Sequence, residues 1–298
     1  MTSGHRRKAR TIAGTAVAAA VLVLGAGSVA AGRTLGGTEA APADREPTAD
    51  ESRVLREAEQ ILVRRCMERA GFRYWVEPAP TPRRTFPYVM DDPAWARRYG
   101  YTSYRPQDSA APSPNQQYFA SLPAGRRSAA TVALNGPRPE GLEARLPNGL
   151  RVQHSDRGCV SEARRTLYRD AETWFRVTKV AESLPGFRAG LVTADPDFTD
   201  GVNRWAACMR GRGHDYPNPA ELHAEFSAAR QQLPRPDEIR LAVAEAECAG
   251  TSGLAAVARR LDRHYQDFIS QQTRPDLEAR RRLQSLALPR AHTIVRSR

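Results

Sequence analysis

CMERAGFRY at residues 66–74 and CMRGRGHDY at residues 208–216 are the two stretches that decide the fold. They align without gaps as Cys-Met-x-x-x-Gly-x-x-Tyr. In each copy the pattern ends an apolar-faced helical stretch, and its glycine can adopt the positive φ that closes a helix. A proline follows, Pro78 in the first copy and Pro217 in the second. The repeat predicts two related helical units in a mainly α protein.

One further cysteine follows each copy in a helical stretch, Cys159 after the first and Cys248 after the second. The simplest pairing is therefore Cys66 with Cys159 and Cys208 with Cys248, one disulfide per unit, although four cysteines allow three connectivities. A zinc site is the alternative, but no two cysteines have a C-x-x-C spacing and no histidine pair has ligand spacing on a helix. We expect neither a metal nor a cofactor.

The N-terminus predicts export. Basic residues crowd the first ten positions, and an uncharged Ala/Val-rich run follows from residue 11 to residue 32. Small residues at 28–31 fit the cleavage site of a signal peptide. The run is also long enough, at about 20 residues, to span a bilayer as an uncleaved anchor. Residues 1–32 are thus a signal peptide or a membrane anchor, and the absence of a cysteine after the run excludes a lipid-modified lipoprotein.

Residues 33–47 are rich in Gly, Ala, Thr and Pro and predict a flexible tether. Behind it we expect helical unit 1 at 48–184 and helical unit 2 at 185–298, separated by a linker at Pro185-Gly186. Unit 1 carries a Pro/aromatic-rich insertion, because residues 78–147 contain twelve of the 22 prolines.

Local signals place the elements within these units. Thr48 and Glu51 form a capping box that predicts a helix over 49–70. Asn148-Gly149, between short alternating stretches, predicts the one small β-hairpin. Apolar periodicity predicts further helices near 92–99, 115–134, 159–175, 196–208, 219–231, 237–249, 253–272 and 275–289.

The chain is basic, with a formal net charge of +12 over 298 residues and a mean hydropathy of −0.57. Lys8 and Lys179 are its two lysines, so 43 of the 45 basic residues are arginine. Because most arginines lie singly or in pairs beside acids, a solvated surface explains the charge at least as well as an anionic partner does. We expect no specific nucleic-acid partner.

Two basic regions are candidates for binding. Rings and cations alternate in the proline-rich segment, which suits a saccharide, a peptide or a phosphate-bearing ligand. Its candidate residues are Trp75, Arg83, Arg84, Tyr88, Trp95, Arg97 and Tyr99. The alternative is that these rings hold a long loop against the helices. The basic C-terminal helix, with Arg280 to Arg282, either contacts anionic lipid or is a solvated tail.

No catalytic residue is predicted. The nucleophile-elbow, zinc-protease, P-loop and dinucleotide motifs are missing, and no histidine has a catalytic partner in its local sequence. His154-Ser155-Asp156 has the residue types of a triad but predicts a polar turn that caps the Cys159 helix. We place acids such as Asp237 and Glu238 at helix starts or on solvated faces.

The Cys-Met-x-x-x-Gly segments, together with residues 158–168 and 239–248, resemble exported proteins of actinomycetes, especially Streptomyces, that have no assigned activity. This resemblance implies an envelope location. The expected function is that of an extracytoplasmic cell-envelope protein, secreted or anchored, with a binding or structural role; a cell-wall-active hydrolase with a site assembled from scattered residues is the alternative. The possible partners are an envelope polymer, a peptide or an anionic lipid, with membrane contact through residues 1–32 if they are retained.

Overall fold

The chain folds mainly into helices, as the repeat predicts. The computed structural model describes residues 45–79, 84–104, 112–227 and 233–297. The predicted export segment at 1–32, most of the predicted tether and the candidate binding residue Arg83 lie outside these residues. In chain order the elements are α1 (Ala49–Arg69), α2 (Pro93–Tyr99), α3 (Pro114–Ser121), α4 (Ala124–Asn135), β1 (Gly141–Arg145), β2 (Arg151–Ser155), α5 (Cys159–Tyr168), α6 (Ala171–Ala194), α7 (Pro196–Gly211), α8 (Pro219–Ser227), α9 (Arg235–Thr251) and α10 (Leu254–Arg296).

The first helix begins at its predicted capping box. Thr48 Oγ1 accepts the Glu51 N–H at 3.2 Å, and Glu51 Oε2 accepts the Thr48 N–H at 2.8 Å. Two N–H groups that would lack a helical partner are satisfied in this way. The helix ends at the first repeat, where Gly71 has a φ of +80°, and the second repeat ends α7 in the same way at Gly213, with a φ of +83°.

Both predicted disulfides are present. Cys66 at the end of α1 is bonded to Cys159 at the start of α5, with Cα atoms 5.4 Å apart. Cys208 on α7 is bonded to Cys248 on α9, with Cα atoms 5.7 Å apart. All four cysteines of the chain are thereby used, so the zinc alternative built on them is wrong.

The predicted hairpin is formed by β1 and β2, which pair antiparallel with Leu142 opposite His154. Gly149 in the connecting loop has a φ of +85°, which favours glycine. The hairpin packs on α6, where Leu142 and Ala144 contact Phe175.

Two main apolar cores share the longest helix. Residues of α7, α8, α9 and the first turns of α10 form one core with the segment 86–101. Residues of α1, α5, α6 and the far end of α10 form the other, where Ala287 and Ala291 are fully buried. With 43 residues α10 extends about 65 Å, long enough to run past both.

Four predicted boundaries are wrong. The helix predicted at 115–134 is divided at Leu122-Pro123 into α3 and α4. The linker at Pro185-Gly186, where the two units were divided, lies inside the continuous helix α6. Likewise, the helices predicted at 253–272 and 275–289 are one helix with Pro275 inside it. A proline inside a helix costs about 3 kcal/mol, and the extended packing between α6 and α10 offsets this cost. Conversely, the helix predicted at 159–175 is divided, because Arg169 has a φ of +69° and Asp170 caps α6.

The polar turn predicted at 154–156 does not cap a helix. His154 and Ser155 end β2, and α5 begins after Gly158 without a side-chain cap. Ser155 Oγ instead accepts the Arg157 N–H at 3.2 Å within the connection.

Candidate functional site

Most of the predicted binding residues lie in the segment 84–104, which crosses α9 and α10. The Arg84 guanidinium pairs with Asp92 at 2.8 Å and lies over the rings of Phe86 and Trp95. Tyr88 Oη donates to Asp262 Oδ1 at 2.5 Å. Burial, and secondarily Asp262, raises the pKa of Tyr88 to about 12. These side chains are therefore engaged with the chain itself.

The remaining predicted residues do not form one surface. The Trp95 and Tyr99 rings lie 4.2 Å apart, and Arg97 pairs with Glu247 at 3.6 Å. Trp75 lies outside this segment, is 37% exposed and contacts the Tyr118 ring edge-on. Their role in ligand binding stays a prediction.

A cleft of about 300 Å³ separates residues 84–91 from α10. Its charges are largely paired, since Arg188 contacts Asp262 at 2.9 Å and Arg259 contacts Asp91 at 2.5 Å. Ion pairs of this kind hold the segment against the helices and leave few groups for a ligand.

Two buried carboxylates of α9 attach the same segment. Glu245 Oε1 accepts the Met90 N–H and Glu238 Oε1 accepts the Tyr101 N–H, both at 2.9 Å. Glu238 lies in the first turn of α9, as predicted, but it is only 1% exposed and therefore does not lie on a solvated face. The two acids are seven residues apart and share one face of α9, and this face is covered by the segment.

His223 has a carboxylate partner that its local sequence does not show. Its Nε2 lies 2.7 Å from Glu245 Oε1, and its ring stacks on Tyr104 at 3.7 Å. The Glu245 carboxylate also lies close enough to Tyr101 to add to the effect of burial, which raises the pKa of that hydroxyl well above its ordinary value. This polar cluster is enclosed by rings, and the His223 side chain is only 12% exposed. These contacts hold the segment 84–104 against α9, and we call them the α9 clamp.

A polar cleft of about 440 Å³, which we call the central cleft, is formed by α1, α5, α6 and α10. Tyr168 and Trp174 line it as a stacked pair, with ring centroids 3.5 Å apart. Burial, followed by the charge of Glu59, raises the pKa of Tyr168. The aromatic pair supplies a flat apolar wall of the kind that ligand sites use.

Three residues that line the central cleft each carry a buried polar atom with no hydrogen-bond partner among the described residues. These atoms are Thr178 Oγ1, Arg280 Nε and Gln284 Oε1. Gln284 is only 7% exposed. Such unpaired groups are rare in folded proteins because each forfeits its hydrogen bonds to water.

Sequence reasoning missed this site, although it carries a signal. Gln284, Ala287 and Ala291 fall at i, i+3 and i+7, so the glutamine occupies a core position of the α10 stripe. A polar side chain at a core position needs a hydrogen-bond partner, so its presence there indicates a candidate site. Arg280, one turn earlier, is predicted from the sequence only as part of the basic C-terminal helix.

No protein-family model, curated protein or solved structure matches this chain. Its own geometry therefore carries the functional argument. Among the described residues no group of three His, Cys, Asp or Glu side chains is arranged to hold a metal ion.

A membrane-spanning helix needs both sufficient length and sufficient hydropathy. No single helix of the described ranges satisfies both requirements, while α9 and α10, bent by 69° at their break, satisfy them only when taken together.

Proposed function

We propose that this protein is an extracytoplasmic cell-envelope protein that binds a small polar ligand in the central cleft. The basic and then uncharged N-terminal sequence supports export. The two disulfides fit an oxidising compartment, where such bonds persist.

The observation that carries the binding role is the set of unpartnered polar atoms on Thr178, Arg280 and Gln284. A ligand that hydrogen-bonds to these groups would recover what burial has removed, about 1–3 kcal/mol for each group. The Tyr168–Trp174 pair beside them offers apolar contact to the same ligand.

Binding is favoured over hydrolysis at this site. The two carboxylates that line the cleft are already in ion pairs, Glu59 with Arg164 at 2.9 Å and Glu182 with Lys179 at 2.7 Å. Neither is poised as the unpaired general acid or base that a wall-active hydrolase needs. A binding protein is expected to release its ligand chemically unchanged.

The test uses the full chain and muropeptides released from cell walls by lysozyme digestion. Ser52 is an exposed residue that lines the cleft, so Ser52→Trp narrows its mouth. Arg53→Trp, at the next position and outside this lining, is the matched control. Muropeptides should raise the Tm of the wild type and of the control, because a ligand that binds only the folded state stabilises it.

Ser52→Trp should abolish that rise in Tm. An equal rise in all three proteins would place binding elsewhere, and no rise in the wild type would contradict the binding role. Chromatography of the muropeptides after incubation distinguishes the hydrolase, which would shorten them.

A further inference from the structure

The charge balance of the central cleft is the starting point. Three arginines and two glutamates line it, and Arg164 is neutralised by Glu59. The second acid, Glu182, pairs with Lys179 on its own helix. Arg56 and Arg280 have no ion pair with any residue in the described ranges. The cleft therefore presents uncompensated positive charge.

Arg280 is the cation best placed to meet a ligand. Its Nε is buried without a hydrogen-bond partner among the described residues. Its charge is felt by the hydroxyl of Tyr168, whose ring forms the aromatic wall. A guanidinium offers planar, paired donors that match the oxygens of a carboxylate or a phosphate.

Gln284 adds a second requirement one turn further along α10. Residues four apart on a helix have Cβ atoms about 5–6 Å apart. The buried Oε1 of Gln284 accepts hydrogen bonds only, so it calls for an O–H or N–H group on the ligand. Thr178 on α6 adds a hydroxyl that can donate or accept.

We propose that the central cleft binds a hydroxylated oxyanion, with the oxyanion on Arg280 and a hydroxyl donating to Gln284 Oε1. A sugar acid or a sugar phosphate has both groups at about this separation. A cleft of about 440 Å³ is within the range of small-molecule sites. The inference rests on the proposed function and names the chemical class of its ligand.

Isothermal titration of the full chain with three probes tests this proposal. Glucuronate carries a carboxylate, glucose 6-phosphate carries a phosphate, and glucose has neither. We expect glucuronate or glucose 6-phosphate to bind and glucose to bind at least tenfold more weakly than the better anion. Whichever of the two anions binds more tightly shows whether the oxyanion of the ligand is a carboxylate or a phosphate.

Two variants locate the contact. Arg280→Gln should weaken binding of the anion about 10- to 100-fold, since a charge-assisted hydrogen bond is lost. Arg282→Gln, an exposed arginine two residues along the same helix, should leave the affinity unchanged. Gln284→Leu should weaken binding of the sugar anions but not that of acetate, which has no hydroxyl.

Several results would overturn the proposal. Undiminished anion binding in Arg280→Gln, or an equal loss in Arg282→Gln, would remove the oxyanion site. If glucose binds as tightly as the anions and Gln284→Leu weakens the binding of glucose, the ligand need not be an anion, which overturns the proposed ligand class. The proposed binding function would then still hold. No heat of binding with any probe at 10 mM would also overturn this ligand class, and the muropeptide experiment then judges the binding function separately.

Discussion

Helices α9 and α10 both bury polar side chains, but they use them differently. On α9, Glu245 and Glu238 accept backbone N–H groups from the segment 84–104, and Glu245 also contacts His223. On α10, Gln284 is buried and has no hydrogen-bond partner in the part of the chain that is described. Glu245 Oε2 is also buried without a partner among the described residues, but Glu245 Oε1 is bonded, whereas Gln284 Oε1 is not. A buried oxygen that is bonded within the chain stabilises the fold, and one that is left unbonded lowers its stability.

The largest effect should come from the two disulfides, of which one joins α1 to α5 and the other joins α7 to α9. In the chain-entropy model, loops of 93 and 40 residues contribute about 4.7 and about 3.9 kcal/mol. Replacing both Cys66 and Cys159 by Ala should therefore cost more than replacing Cys208 and Cys248, by about 0.8 kcal/mol. Urea unfolding of the two double variants and the oxidised wild type measures this difference. The reverse order would show that strain or residual structure outweighs loop length.

The α9 clamp is tested by Glu245→Ala. This change removes the acceptor of the Met90 N–H and the partner of His223 in a fully buried site, so we expect a loss of about 3–5 kcal/mol in the free energy of unfolding. Glu247→Ala, on the same helix but partly exposed and paired with Arg212, should cost less than about 1 kcal/mol. Equal losses in the two variants would mean that the buried carboxylate does not hold the segment.

Removing the buried polar group of Gln284 in the central cleft should not lower the free energy of unfolding, in contrast to Glu245→Ala. Gln284→Leu replaces an unpartnered buried amide by an apolar side chain of similar size, so the free energy of unfolding should stay unchanged or rise by about 1 kcal/mol. Gln272→Leu, at an exposed position of α10, controls for the leucine itself. If Gln284→Leu, but not Gln272→Leu, lowers the free energy of unfolding by about 2 kcal/mol or more, the Gln284 amide stabilises the folded state.

Many of the helix ends, the hairpin and the disulfides could be predicted because the sequence patterns that indicate them are local. The Thr48–Glu51 capping box, the Asn148-Gly149 turn and the two Cys-Met-x-x-x-Gly helix ends each depend on residues close together in the chain. The disulfide pairing was predicted from the repeat together with the predicted export signal. These features require no knowledge of which helix meets which.

The candidate site depends on contacts between distant residues and could not be predicted in the same way. Met90 and Glu245 are 155 positions apart, and the central cleft combines residues of α1, α5, α6 and α10. Packing between helices also overrides local rules, as Pro185 and Pro275 inside continuous helices show. A single sequence shows that Gln284 interrupts an apolar stripe, but not which residues face it.

The smallest expected effect concerns the N-terminal ends of α9 and α1. Helix α9 has no side-chain cap, whereas Glu51 at the start of α1 bonds to Arg45 and to the Thr48 N–H. These contacts, that with Arg45 first, lower the pKa of Glu51 to about 2. The carboxylate therefore stabilises the folded state fully above its unfolded pKa of about 4.3, and this contribution is lost as the pH falls towards 2.

Glu51→Gln keeps the side-chain acceptor for the Thr48 N–H but cannot titrate. Relative to this variant, the wild type should lose about 0.5–1 kcal/mol of unfolding free energy between pH 5 and pH 2, as measured by urea unfolding at each pH. Since Arg45 is exposed, 0.5 M NaCl should reduce the effect. If the difference between the two proteins is the same at pH 5 and pH 2, the charge of Glu51 does not stabilise α1, and its capping hydrogen bond alone marks the start of this helix.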